Sequence, residues 1–248
     1  MDPTLLLFFV IVLLGYMVGA TVGFGASILT LTIAAHLYPI DYLVPVLVPI
    51  NLAVTIYLTV RHRRGVNRAL LLKRILPIAM LGMPVGLAIF HLAETETLKL
   101  FFGLFVTGLA GSEVFRLARR RTEEILPPLS NFWTWAFLFS GGVVQGLWVS
   151  GGPMVAYWAG RNIRQKYDFR STLSALWLVL NFVLLIAHSF SGTITAETLK
   201  VDLYALPFLV VGVALGEVWH ARLPERTFRL VVFSVLIVAG LSIILRSL

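Results

Sequence analysis

The chain has 248 residues, of which 58% are hydrophobic and 13% charged, with a net charge of +8 and no cysteine. A soluble domain carries about 25% charged residues, so the composition excludes an ordinary soluble protein. The missing cysteines exclude disulfides, thiol nucleophiles, zinc sites and iron–sulfur clusters. The positive charge does not point to nucleic acid, because the basic residues sit in short clusters at the ends of apolar runs, where membrane orientation signals belong, and little surface remains for a nucleic-acid module.

Ten apolar segments are expected, at roughly 3–19, 24–38, 42–60, 71–92, 98–116, 132–145, 148–160, 172–190, 203–219 and 228–246. The first run carries Asp2 and no basic residue precedes Arg61, unlike a secretory signal, so it is expected to stay as a span. The stretch 3–38 is uninterrupted and about 54 Å long as helix, short of the roughly 60 Å plus a turn that two crossings require. Segments 132–145 and 148–160 are shorter still. Both pairs are therefore predicted to be hairpins of short or broken helices meeting inside the membrane.

Orientation follows from Lys and Arg. The clusters Arg61–Arg74, Arg116–Arg121, Arg161–Arg170 and Arg222–Arg229 fall on one side and hold 17 of the 20 basic residues, whereas Lys99, Lys200 and Arg246 fall on the other. The positive-inside rule places the larger set in the cytoplasm and both termini outside, periplasmic in a bacterial inner membrane.

The halves repeat. Asn51, Pro77, Gly82 and Gly86 recur 130 residues later, without a gap, as Asn181, Pro207, Gly212 and Gly216. Upstream, Gly19 and Gly23 match Gly142 and Gly146 at an offset of 123, which places about seven extra residues in the second half near 150–170. Loop 61–70 is predicted cytoplasmic and its counterpart 191–200 external, so the repeats run with opposite topology. The expected fold is an all-α polytopic membrane protein of two inverted repeats, residues 1–123 and 124–248, each of about five segments and each opened by a broken or re-entrant glycine-rich hairpin. Secondary transporters with this plan hold their substrate near the midplane, at discontinuous helices from both repeats.

A break frees backbone N–H groups that must be satisfied in the membrane by protein, water or ligand. A helix starting there carries about half a positive charge and favours anions. The candidate breaks run through Gly23, Gly25 and Ser27 in the first half and through Gln145, Ser150, Gly151 and Gly152 in the second, with Pro153 suited to a first helical turn. Thr30, Asn51, Thr55, Thr172, Ser174 and Asn181 add polar lining, and Arg170 is the cation nearest the second break. The repeat-related Asn51 and Asn181 could brace helices or touch ligand. Glu113, Glu217, His36, His91 and His188, near span ends, are candidates for proton coupling.

The glycine hairpins, Gly151-Gly152-Pro153 and Phe169-Arg170-Ser171-Thr172-Leu173 together resemble the TauE/SafE sulfite exporter family over nearly the whole chain. The first half departs from the family's usual run of three glycines, since Ala26 and Ser27 follow Gly23-Phe24-Gly25. The resemblance implies a transporter of sulfite, organosulfonates or related sulfur anions, with no cofactor. Its partners are then a small anion and the lipid bilayer, with a homodimer as a candidate assembly. Competing readings are a small-carboxylate carrier, a cation carrier, which would need mid-span carboxylates, a non-transporting scaffold, and an intramembrane hydrolase built on Ser150. The last lacks a base in reach, because His188 is placed near the external face.

Overall fold

The computed structural model describes residues 2–22, 25–119, 128–163, 165–220 and 225–247. Those residues are mostly helical, without strands. In chain order they form α1 (Pro3–Val22), α2 (Ala26–Ala34), α3 (Ile40–Arg61), a short 3-10 turn (Arg63–Gly65), α4 (Arg68–Leu70), a π-helical turn (Leu71–Ile75) and α5 (Leu76–Leu92). Then come α6 (Thr95–Arg119), α7 (Asn131–Trp148), α8 (Gly152–Asn162), α9 (Lys166–Phe190), α10 (Ala196–His220) and α11 (Glu225–Ser247).

Each expected apolar segment coincides with a helix. Two helices begin earlier than hydropathy suggests, α9 at Lys166 and α10 at Ala196. Their first turns are polar, with Asp168 and Glu197 placed where the helix dipole favours a carboxylate. The widened turn Leu71–Ile75 lies just ahead of Pro77. A proline ring there presses on the carbonyl four residues back, and a wider turn relieves that clash.

Six helical stretches are long and apolar enough to cross a membrane: Pro3–Ala20, Ile40–Arg61, Arg68–Leu92, Thr95–Arg116, Tyr167–Phe190 and Ala196–Val218. By contrast α2 has 9 residues and α8 has 11, about 14 and 17 Å of helix. Each expected hairpin thus joins a longer helix to a short one: α1, long enough to cross, to α2, and the 18-residue α7 to α8. The outer faces are apolar. On α5, Leu81, Val85, Ile89 and Leu92 are exposed, whereas Ala79, Gly82, Met83, Gly86 and Phe90 are buried. Leu203, Val210, Leu215 and Val218 repeat that stripe on α10. Apolar surface on this scale is tolerable against lipid and not against water. The protein is a multi-pass membrane protein.

The chain divides into two compact units, and each draws on both halves of the sequence. One comprises Met1–Val44, Ala93–Glu124 and Leu203–Leu248; the other comprises Pro45–Leu92 and Ile125–Asp202. Lipid supplies no hydrophobic force between helices, so close backbone contact at small residues must hold each unit together. In the first unit α10 lies on α1. A Cβ added at Gly212 would stand 2.4 Å from the Leu13 carbonyl oxygen, and one at Gly216 would stand 2.3 Å from that of Met17. In the second unit α5 lies on α7 in the same manner. The corresponding distances are 2.1 Å from Gly82 to the Phe139 carbonyl oxygen and 2.1 Å from Gly86 to that of Val143.

Candidate functional site

In the second unit α7 ends where Val149 takes a left-handed conformation, φ 54° and ψ 30°. A β-branched residue rarely adopts that conformation, and such strain persists only where the surroundings impose it. Val149 is the one non-glycine residue with positive φ among the described residues. The chain then turns through Ser150 and Gly151, and α8 begins at Gly152 with Pro153 in its first turn. Gly151 is compressed: a Cβ there would stand 2.1 Å from the Gly141 carbonyl oxygen.

Gln145 spans this break. Its Oε1 accepts the Gly151 N–H at 3.1 Å, and its Nε2 donates to Asn181 Oδ1 on α9 at 2.9 Å. Gln145 and Asn181 are each 2% exposed. The Ser150 hydroxyl donates to the Trp148 carbonyl at 2.7 Å, and His188 is engaged at Nδ1 with Thr193 Oγ1 at 2.8 Å. The two do not form a nucleophile and its base. Ser150 and Gly151 are buried while Gly152, Pro153 and Met154 are half-buried. The N–H groups of a first helical turn have no partner within the helix. Gln145 occupies that of Gly151 and Pro153 has none, so Gly152 and Met154 offer donors at the open side of the break.

Thr172 is wholly buried, and its Oγ1 accepts the Asn67 N–H at 2.9 Å. It fastens the α3–α4 connection to α9, beside Gly65, which abuts Tyr167 and Ser171. Arg170 is half-buried, with Nε and Nη2 shielded from solvent, and its carbonyl accepts the Ser174 hydroxyl at 2.9 Å. Asn51 Nδ2 donates to the Leu47 carbonyl at 2.8 Å within α3, and Thr55 Oγ1 donates to the Asn51 carbonyl at 2.8 Å. These bonds sit just after Pro45 and Pro49, which remove backbone donors from the same helix.

The hairpin of the first unit has a comparable break. Gly25 caps α2 with φ 90°, and Gly25, Ala26 and Ser27 are half-buried. A Cβ at Gly25 would meet nothing within 4 Å, so glycine is required there for its backbone angle and not for space. Thr30 is fully buried against Gly15. Gly23 lies outside the described residues. The short helices open at Ala26 and Gly152, 126 residues apart. The glycine contacts keep that spacing, since Leu13 and Met17 stand where Phe139 and Val143 do. Gly19 and Gly23, read at an offset of 123 from Gly142 and Gly146, do not share that spacing.

Of the candidate coupling groups, Glu113 pairs with Arg116 at 2.5 Å. His36 contacts the Thr32 carbonyl at 3.2 Å and Ser242 Oγ at 3.1 Å. Asp202 on α10 was not foreseen. It is 7% exposed, and neither carboxylate oxygen has a hydrogen-bond partner among the described residues. The expected start of this span at residue 203 left it outside; the polar, helix-forming run Glu197–Asp202 was the available signal.

The family profile "Sulfite exporter TauE/SafE" matches residues 7–243. A curated protein of Comamonas testosteroni, "Probable inner membrane transporter protein TsaS", is 25% identical over 170 residues, covering 68% of this chain and 69% of that one. No solved structure matches. With its glycine-packed helices and hairpin breaks falling inside that match, the chain belongs to the sulfite exporter TauE/SafE family, and its activity is transport rather than catalysis.

Proposed function

We propose that the chain carries a small sulfur oxyanion, sulfite or an organosulfonate, across the bacterial inner membrane by alternating access. The observation that carries this reading is the α7–α8 break, where a half-buried helix start offers the Gly152 and Met154 N–H groups beside buried Gln145, Ser150 and Asn181. Donors of this kind recognise oxyanion oxygens without a mid-span cation. Gly25 and Ser27 offer a similar helix start in the first unit. Thr172 ties α9 to the α3–α4 connection and Asn51 bonds within α3, and with Arg170 they are read as further polar lining. The match to "Sulfite exporter TauE/SafE" and the likeness to an inner membrane transporter support the class of substrate and the location.

Counterflow in proteoliposomes tests the substrate. Labelled sulfite and an alkyl sulfonate should exchange, while acetate and sodium should not. Exchange of acetate without exchange of any sulfur oxyanion would transfer the site to small carboxylates.

The two halves, 1–123 and 124–248, are read as inverted repeats. Support comes from the equivalent glycine pairs, which rest at equivalent positions on the opposite half's hairpin, and from the charge asymmetry. Single cysteines at Thr95 and Ser191 should react with an impermeant thiol reagent in intact cells, and cysteines at Asn67 and Glu225 should not. Equal labelling of Thr95 and Asn67 would remove the inverted arrangement and the periplasmic termini with it.

A further inference from the structure

We infer that Asp202 is a proton-binding site that couples ion flow to transport. Asp202 lies seven residues into α10, inside the apolar span Ala196–Val218. It shares the buried face of that helix with Thr198, Ala205 and Leu209. A carboxylate that is 7% exposed, with both oxygens unpartnered, is costly in a membrane unless a cation neutralises it.

A proton neutralises a lone carboxylate without further ligands, and no group of three or more His, Cys, Asp or Glu side chains able to hold a metal exists among the described residues. On α10 the neighbouring titratable groups are Glu197, Lys200 and Tyr204, all exposed, and the same unit holds His91 and His188. His188 is fully buried, with Nδ1 on Thr193 and its ring against Phe90 and His91. None of these groups bonds to Asp202.

The inference rests on the transport reading above, and two measurements separate them. In proteoliposomes, one proton moved per anion lets a one-unit pH gradient sustain about tenfold accumulation of labelled sulfite. Asp202→Asn should abolish that accumulation while counterflow at equal pH stays within about twofold of wild type. Accumulation retained by Asp202→Asn, or driven in wild type by a sodium gradient and not by pH, overturns the proton site.

The second measurement needs neither transport nor the variant. The apolar reagent dicyclohexylcarbodiimide attacks neutral carboxyl groups, so wild type at neutral pH should be labelled at Asp202, as mapped by peptide mass spectrometry, and exposed Glu197 should not. A wild type labelled at Glu197 and not at Asp202 overturns the site even if Asp202→Asn fails to insert. A wild type that is labelled at Asp202 but exchanges no anion instead sinks the transport reading.

Discussion

Gly142→Leu is expected to eliminate folded protein. A Cβ at Gly142 would stand 2.0 Å from the Ala79 carbonyl oxygen and 2.8 Å from the Ala79 carbonyl carbon. These are backbone atoms in the first turn of α5, so no rotamer change can make room. The helices must separate, and separation breaks the whole seam. Gly82 and Gly86 lie against the Phe139 and Val143 carbonyls, and Gly146 lies 2.3 Å, by its added Cβ, from that of Met83. In lipid this seam is held by van der Waals contact and not by exclusion of water. Overpacking a core costs about 1–3 kcal/mol where neighbours can adjust, and four linked backbone contacts put Gly142 at or above that limit. Monodisperse material on fluorescence-detected size exclusion should fall by about tenfold or more, as each 1.4 kcal/mol is one decade. Gly111→Leu is the control, because nothing lies within 4 Å of its added Cβ. If Gly142→Leu elutes and melts like wild type, the α5–α7 seam is not what holds the second unit.

The sequence is informative about this seam because glycine, proline and asparagine kept one register across 130 residues. Packing explains the glycine part: Gly82/Gly86 and Gly212/Gly216 meet equivalent positions on α7 and α1. The hairpins were harder to read for the same reason. Glycines recur every three or four residues wherever helices touch closely, so Gly19 and Gly23 could be aligned with Gly142 and Gly146 although the helix starts set a spacing of 126. Hydropathy located ten segments but trimmed the polar first turns of α9 and α10, and that trimming hid Asp202. The strain at Val149 had no signal, since a left-handed turn is sought at glycine or asparagine. Gln145 and Asn181 were both legible as polar residues inside apolar runs. Their pairing was not, because a contact between residues 36 apart depends on how α7 packs on α9.

That pair yields the second large effect. Gln145→Leu should destabilise the protein and slow anion exchange together. The substitution keeps the volume but removes both bonds, leaving the Gly151 N–H and Asn181 Oδ1 buried without the partners seen at 3.1 and 2.9 Å. Each unsatisfied group costs about 1–3 kcal/mol, so the melting temperature should fall clearly. The helix start at Gly152 also loses its tether to α9, and a displacement of about 1 Å at a binding site can cost up to a hundredfold in rate. Adding Asn181→Leu should cost less than the sum of the single variants, because the second change removes a group the first left stranded. A brace alone would produce this much. Gln145→Glu separates brace from site. It keeps an acceptor for the Gly151 N–H, and the Asn181 amide can turn to donate to it, so folding should survive. It also sets a carboxylate beside the donors of Gly152 and Met154, where like charge repels an oxyanion. Sulfite counterflow should therefore fall by about tenfold or more while the melt stays near that of wild type, and it should recover as the pH is lowered and the new carboxyl group takes up a proton. Unchanged counterflow by Gln145→Glu across that pH range would leave Gln145 as a brace and move the anion away from the α7–α8 break.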